Sequence, residues 1–449
     1  MIKPGIPKGT RDFGPVVVRK RNYIFQTIRD TFEVFGFQPL ETPAMENLST
    51  LMGKYGEEGD KLIFKILNNG EIFEPAQQAK DSRELASLLS EKALRYDLTI
   101  PFARYVVMNQ HELALPFKRY QMQPVWRGDR PAKGRYREFY QCDADVVGSN
   151  SLLNEVELLL IYDTVFTKLG MQGYELRINN RKILAALAEL VGKTEMLTDI
   201  TISIDKLDKI GMDGVKGELT ERGLTDGDIT IIENFLGIQG DNQSILEQLR
   251  TLFAASETGL KGIEELDFVL HSGYTTFNTT PILDLTLARG LNYYTGLIVE
   301  AKAPATVKMG SIGGGGRYDN LTGTFGLSGI SGVGISFGVD RIYDVLEELK
   351  LFPETAQQST KVLFLNLGED SARAAFGYMM QLRQKGIAAE LFHENAKMDK
   401  QMKYADKRGI PYVVILGESE LQENKVSVKN LAKGQQEKIG VAELLDYAF

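Results

Sequence analysis

From Pro124 to Val147 the chain reads PVWRGDRPAKGRYREFYQCDADVV, and no other stretch limits the fold as closely. Apolar and aromatic flanks patterned as antiparallel strands enclose Arg127, Arg130, Lys133, Arg135 and Arg137 within eleven residues, and Gly128, Pro131 and Gly134 turn the chain. The spacing predicts a hairpin with a cationic mouth. Arginines at this density repel one another unless an anion sits among them, so the natural occupant is a polyphosphate or a phosphodiester backbone. A solvated charged turn has the same composition. Two features favour the ligand. Trp126 and Phe139 bracket the loop with faces able to stack on a base, and Gln141, Asp143 and Asp145 share one face of the outgoing strand by its period of two. Cation, aromatic and carboxylate together point to a nucleotide and a second, amine-bearing ligand.

The stretch resembles motif 2 of the class II aminoacyl-tRNA synthetases. In that family an arginine ending the first strand holds the ATP α-phosphate and a phenylalanine on the next strand stacks on adenine; Arg127 and Phe139 stand at those positions. The resemblance implies an α/β multidomain chain: an antiparallel sheet flanked by helices, a helical insertion, and a C-terminal α/β anticodon-binding domain.

At 449 residues the chain is expected to hold two or three domains, each burying its own core, and 43% hydrophobic with 25% charged residues fits a soluble globular protein. There is no apolar run of eighteen residues and no apolar signal core in MIKPGIPKGTRDF, so a cytoplasmic location is expected. Cys142, the one cysteine, reads as a buried strand residue and excludes an intrachain disulfide. His111, His271 and His393 are too far apart for a histidine metal site or an evident histidine base, and no metal site is expected. A net charge of −8 argues against non-specific nucleic-acid binding and confines any such partner to local basic patches.

Taken in order, Val18 to Phe35 shows helical periodicity through Ile24, Ile28, Phe32 and Phe35, with Gly36 at the expected left-handed cap and an extended segment to Pro43. This pair resembles motif 1, which builds the dimer interface of the family. In Leu94 to Tyr105, LRYDLTIPFARY, the spacing predicts a strand presenting Asp97 and Thr99 on one face, stopped by Pro101. Beside motif 2 it resembles the DLT segment (Asp97, Leu98, Thr99) with which histidyl-tRNA synthetases contact the amino acid. Leu152 to Leu169 is predicted helical, and residues 180–267 read as an inserted domain of amphipathic helices without a site-like cluster. LDLTLARGLNYYTGLIV, from Leu283, predicts a strand through Leu283, Leu285 and Leu287, Arg289 at its end, and Tyr293 and Tyr294 on opposite sides. It resembles the LxRGLxYYTG signature of histidyl-tRNA synthetases, and GGGGRY from Gly313 resembles the second. Those glycines fit close approach to a small ring substrate or a flexible turn. GVGISFGVDR, Gly332 to Arg341, resembles motif 3.

The implied domains are 1–179 and 268–350 for the two parts of the catalytic domain, 180–267 for the insertion, 351–360 for a linker and 361–449 for a β-α-β-α-β anticodon-binding domain. In the last, Lys397, Lys400, Lys403 and Lys407 with Tyr404 recur at helical spacing, as either a basic tRNA-facing surface or a solvated helix face.

The resemblance implies that histidine and ATP give histidyl-adenylate, and that histidine then passes to tRNA(His), in a homodimer by family expectation, with magnesium entering as the ATP complex and no tightly bound cofactor. It assigns Arg127 and Arg289 to the α-phosphate and the amino acid. Asp129, Arg137, Phe139 and Arg341 go to ATP, and Asp97, Leu98, Thr99, Gln141, Asp145, Tyr293 and Tyr294 to histidine. Asp145 is expected to accept the ring N–H, and Asp97, Thr99 and Gln141 to hold the ammonium. Arg130, Lys133, Arg135, Lys397, Lys400 and Lys407 go to tRNA, with Ala132 standing where bacterial relatives often carry glutamine. Synthetase-like regulatory subunits, tRNA sensors and a tRNA-independent ATP-dependent ligase, which would leave the tail domain without a purpose, are the alternatives. The first typically lack the C-terminal domain and the second lose catalytic arginines, and this chain keeps both features.

Overall fold

The computed structural model describes residues 3–70, 73–271, 273, 276–288, 293–356 and 360–449. They divide into two compact units, the larger holding the segment up to Gly14 with Arg21–Leu351 and the smaller holding Pro15–Lys20 with Phe352–Phe449.

The arginine-rich stretch forms the hairpin its pattern predicts. Strand Phe117–Trp126 pairs antiparallel with strand Glu138–Val147, from Trp126 opposite Glu138 to Phe117 opposite Val147. Gly134 adopts a φ of 68°, and Ala132 and Arg135 exchange backbone hydrogen bonds of 3.0 and 2.9 Å across the turn. The hairpin belongs to an eight-stranded sheet. Glu138–Val147 pairs antiparallel with Gly332–Gly338, followed in turn by Ser311–Arg317, Leu297–Lys302 and Glu175–Asn180. Short parallel strands, Gln38–Pro39 and Ile282–Leu283, lie at the two edges.

Helices cover one face of this sheet. Helix Pro15–Val34 buries Ile24, Ile28 and Phe32 at four-residue spacing, and Gly36 ends it at a φ of 79° while Phe37 N–H donates to the Phe32 carbonyl at 3.0 Å. Helix Leu153–Lys168 sets Tyr162 and Phe166 against Phe337, at ring-centroid distances of 4.6 and 5.7 Å, and Phe32 closes in at 5.9 Å. Three rings around Phe337 fix which side of strand Gly332–Gly338 faces the core. Ser336 and Gly338, offset by one, must face the other way.

The glycine run is a strand, Ser311–Arg317, and not a turn. A Cβ on Gly315 would run into the Gly334 carbonyl oxygen, and one on Gly334 into the Asp145 carboxylate. The glycines let adjacent strands and a buried side chain approach each other closely.

Two other stretches differ from their predicted strands. Within Leu94 to Tyr105 only Lys92–Leu94 reaches in as a strand, and a helix, Thr99–Met108, begins at Thr99. Asp97 Oδ1 accepts from Ile100 N–H at 3.2 Å, and Pro101 falls in the first helical turn, where its missing N–H has no intrahelical partner to lose. Leu283, Leu285 and Leu287 are all buried, but only Ile282–Leu283 pairs as a strand. Asp284 Oδ1 accepts from Thr286 N–H at 3.0 Å and from its hydroxyl at 2.6 Å, which bends the chain into a turn.

Between Arg181 and His271 the chain is mostly helix, including Arg181–Leu190, Leu207–Glu221, Asp226–Leu236, Asn242–Leu252 and Glu257–His271. Thr225 and Asp228 form a reciprocal capping box at one start. The smaller unit contains the expected alternation Val362–Phe364, Glu369–Gln384, Ala389–Leu391, Met398–Lys407 and Tyr412–Ile415. Two antiparallel strands that the alternation did not predict, Lys425–Asn430 and Gln435–Gly440, extend its sheet to five. Among the described residues no helix is long and apolar enough to cross a membrane.

Candidate active site

The sheet face opposite the helices carries a cavity of about 410 Å³. Its lining draws on the hairpin (Arg127, Asp129, Arg135, Phe139, Gln141, Asp143), on Asp97 and Thr99 at the helix start, on Tyr293 and Tyr294, and on strands Ser311–Arg317 and Gly332–Gly338 with Asp340 and Arg341 beyond. Segments separated by more than two hundred residues thus converge on one concave surface.

Arg127 leaves the end of its strand with Nε donating to the Tyr96 carbonyl at 3.0 Å, and its guanidinium lies 4.3 Å from the Tyr96 ring centroid and 5.3 Å from that of Phe139. A cation held beside an aromatic face in a cleft suits a nucleotide, with phosphate on the first and base on the second. Arg341, in the first turns of helix Val339–Glu348, is aimed by two backbone carbonyls: Nε donates to Gly134 O at 2.6 Å and Nη1 to Ser311 O at 2.5 Å. Asp340 secures that helix to the rest of the unit. It accepts from Arg11, from Arg21 Nη1 at 2.5 Å and from Tyr140 N–H at 3.0 Å. The sequence reading passed over Asp340, Arg11 and Arg21. An acidic residue in the first turn of a helix was the only local signal of the three.

Acidic groups gather at the other end. Asp97 accepts from Tyr55 OH at 2.9 Å and Tyr293 OH at 3.3 Å, and burial pushes its carboxyl above the usual range. Burial likewise pushes Asp143 up, to about 7, against the opposing pull of Arg119. Gln141 donates to Ser336 Oγ at 2.9 Å, leaving Gln141 Oε1 without a hydrogen-bond partner; Asp143 Oδ1 also has none.

Some predicted site residues stand elsewhere. Asp145 is not among the described lining: its carboxylate accepts from Tyr318 OH at 2.5 Å and pairs with Arg119 at 2.8 Å. Leu98 is fully buried at the helix start and offers its carbonyl to Arg119 at 3.3 Å. Arg137, expected on ATP, turns back along the loop, its Nε donating to Asp129 O at 3.1 Å. Arg135, expected on tRNA, instead lines the cavity and pairs with Asp129 at 2.6 Å. Trp126 donates its indole N–H to Glu138 at 2.7 Å and is not a lining residue. Arg130 and Lys133 are exposed on the loop, Lys133 pairing with Glu348 at 2.9 Å. Tyr293 and Tyr294 do not point to opposite sides, because they sit in a turn and not a strand: their rings meet edge to face at 5.0 Å on the same cavity. Arg289 lies outside the described residues.

In the smaller unit Lys397, Lys400, Lys403 and Lys407 are all exposed on or beside helix Met398–Lys407. Tyr404 is half-buried against Phe392, ring centroids 5.3 Å apart, so it supports the helix more than it extends the basic face.

Comparison with known proteins converges with this geometry. Residues 74–342 match the family model described as histidyl-tRNA synthetase, and residues 361–448 match the anticodon binding domain model. Among curated relatives, the Histidine--tRNA ligase of Christiangramia forsetii is 57% identical over 444 residues, covering 97% of this chain and 96% of that protein. That of Bacteroides fragilis is 57% identical over 448 residues, covering 99% and 98%. The crystal structure of histidyl-tRNA synthetase from Nostoc sp. PCC 7120 superposes with a TM-score of 0.83 at 32% identity, covering 99% of each chain. On this footing the chain belongs to the histidyl-tRNA synthetase family.

Proposed function

We propose that this protein activates L-histidine with ATP to histidyl-adenylate and pyrophosphate, and then transfers histidine to the 3′ end of tRNA(His). The observation that carries the reading is the single cavity in which the Arg127 guanidinium and the Phe139 ring stand at one end and Asp97, Gln141 and Asp143 at the other. A triphosphate and an amino acid fit those two ends. The attacking group is the substrate's own carboxylate, ionised at neutral pH, so the protein need not supply a base. Its work is to align that carboxylate with the α-phosphorus and to neutralise charge growing on the phosphate oxygens.

In this reading Arg127 takes the α-phosphate, with Arg289 as its counterpart from the LxRGLxYYTG signature. Arg341 holds the outer phosphates of the ATP, which would enter as its magnesium complex, and Arg135 is better placed than Arg137 to join it. Thr99, Tyr293 and Tyr294 shape the amino-acid end. A homodimer and a cytoplasmic location accompany the reading as family expectations.

Pyrophosphate exchange assayed with each of the twenty amino acids tests it. Exchange is expected with histidine alone, and exchange that is absent, or strongest with another amino acid, would refute the proposal. For the second step, reversing charge in the double variant K400E/K407E is expected to weaken tRNA(His) binding roughly 10-fold or more and flatten its salt dependence, with adenylate formation unchanged. Parallel loss of exchange and tRNA binding would assign these lysines to the fold and not to tRNA.

A further inference from the structure

Accepting ATP as the nucleotide in this cavity, we infer that residues 8–13 are a strap that positions the arginine-rich loop at the phosphate end, with Gly9 and Arg11 as its positioning residues. The segment forms neither helix nor strand. Residues 127–137 form none either, only the Ala132–Arg135 bridge at the turn. Each holds the other. The Gly9 carbonyl accepts from Arg137 N–H at 2.8 Å, and the Lys8 carbonyl accepts from Arg137 Nη1 at 3.4 Å. Gly9 has a φ of 90°, and a Cβ there would stand 2.8 Å from Arg137 Cγ and 2.9 Å from Pro131 Cγ, inside contact distance of both. Pro131 and Arg137 lie on the two arms of the loop, so the backbone at Gly9 is pressed against its whole width.

Arg11 makes the second hold. Its guanidinium lies 3.4 Å from the Tyr136 ring centroid while Nη2 pairs with Asp340. Tyr136 and Asp340 both line the cavity, yet they belong to different elements, the loop and the helix that presents Arg341. Arg341 itself donates to the Gly134 carbonyl of the loop. One side chain from residues 8–13 therefore helps set the separation of Arg135 and Tyr136 from Arg341. A loop without regular structure must be ordered when a triphosphate binds, and that ordering costs affinity. Contacts made beforehand, from outside the cavity, remove part of the cost. They touch the loop and the start of the Arg341 helix, whereas Asp97 and Gln141 stand on other elements, so the strap bears on ATP and not on histidine.

The test uses the full-length enzyme and reads KM for ATP and for histidine separately in pyrophosphate exchange. Gly9→Ala changes no charge and pushes on Pro131 and Arg137. It is expected to raise the ATP KM about 3- to 10-fold, the scale of one lost hydrogen bond or ring contact, with the histidine KM within about twofold. Arg11→Ala is expected to do the same, and Arg11→Lys, which keeps a charge for Asp340 but not the flat face on Tyr136, to recover only part of the difference. Lys8→Ala removes an exposed positive charge and spares the carbonyl, so it is expected to leave both KM values within about twofold. Trypsin gives a readout that needs no substrate. Cleavage after the exposed Lys133 is expected to quicken several-fold in Gly9→Ala and Arg11→Ala, with cleavage within the helices of residues 181–271 unchanged. Should Arg11→Ala melt too low to assay, Gly9→Ala and Arg11→Lys carry the test. An ATP KM within twofold of wild type in Gly9→Ala, a parallel rise of both KM values, or an equal rise in Lys8→Ala overturns the inference, as does unaltered cleavage after Lys133. Wild-type enzyme without histidine-dependent exchange overturns the functional reading beneath it, while the cleavage assay still reports on the strap, so the two failures are told apart.

Discussion

Arg127→Ala is expected to lower the rate of histidine-dependent pyrophosphate exchange about 10²- to 10³-fold, or about 3–4 kcal/mol of transition-state stabilisation, the scale of removing one preorganised donor from a developing oxyanion. The side chain is preorganised in a literal sense. One nitrogen is committed to the Tyr96 carbonyl and the planar group lies near the Tyr96 and Phe139 rings, so its remaining donors have a fixed direction before any nucleotide enters. Because charge on the α-phosphate oxygens grows as the bond to the leaving pyrophosphate weakens, the loss falls mainly on kcat and less on the ATP KM. Arg127→Lys restores a charge but not the planar fork and is expected to recover only part of the rate. The fold should survive. The residue ends a strand whose pairing is made by the backbone, and the side chain's recorded hydrogen bond is to a single carbonyl, worth about 0.5–1.5 kcal/mol. Steady-state exchange at saturating histidine, beside a thermal melt, decides the matter: a variant within tenfold of wild type removes Arg127 from the chemistry, and a melt that collapses makes it structural.

What could be read from the sequence here was what depends on neighbours in the chain. The hairpin was legible because strand alternation, turn glycines and the run of arginines all lie within one short stretch, and Gly36 announced its helix end the same way. Leu283, Leu285 and Leu287 gave the right burial but the wrong hydrogen bonding, since alternation reports which residues are hidden and Asp284 decided how the backbone turned. Asp97 and Thr99 went to a helix start for a similar reason: their two-residue spacing also fits a carboxylate capping the residues that follow it. What holds Asp145 on the Gln141, Asp143, Asp145 face could not be read locally, since Tyr318 bonds it across 173 residues of sequence and Arg119 pairs with it from the neighbouring strand. The grip of Arg21 on Asp340 spans 319 residues and was equally out of view.

Arg119 is the position where substitution should cost most in stability. Its side chain is wholly inaccessible to solvent, Nη2 stands 2.8 Å from Asp145 Oδ2 and 3.3 Å from the Leu98 carbonyl, and the guanidinium lies 4.2 Å from the Phe102 ring centroid. Arg119 draws the raised carboxyls of Asp143 and Asp145 back down against burial. Arg119→Met keeps much of the packing volume and deletes the charge, leaving two buried carboxylates without their cation. Breaking a buried pair in this way costs about 3–5 kcal/mol. The cost must depend on pH in a definite direction. A carboxyl whose pKa is higher in the folded than in the unfolded chain binds its proton more tightly when folded, so its contribution to stability is intact at low pH and lost as pH rises from the unfolded value, near 3.8, through the folded one. Without Arg119 the folded values rise further and that window widens upward. Denaturant titrations are therefore expected to show a deficit that is small near pH 5 and largest near pH 8. Adding Asp145→Asn to Arg119→Met removes one of the stranded charges and is expected to return part of the stability at pH 8 and little at pH 5. A deficit independent of pH, or a double variant weaker than Arg119→Met alone at pH 8, would show that Arg119 acts through packing on Phe102 and not through charge.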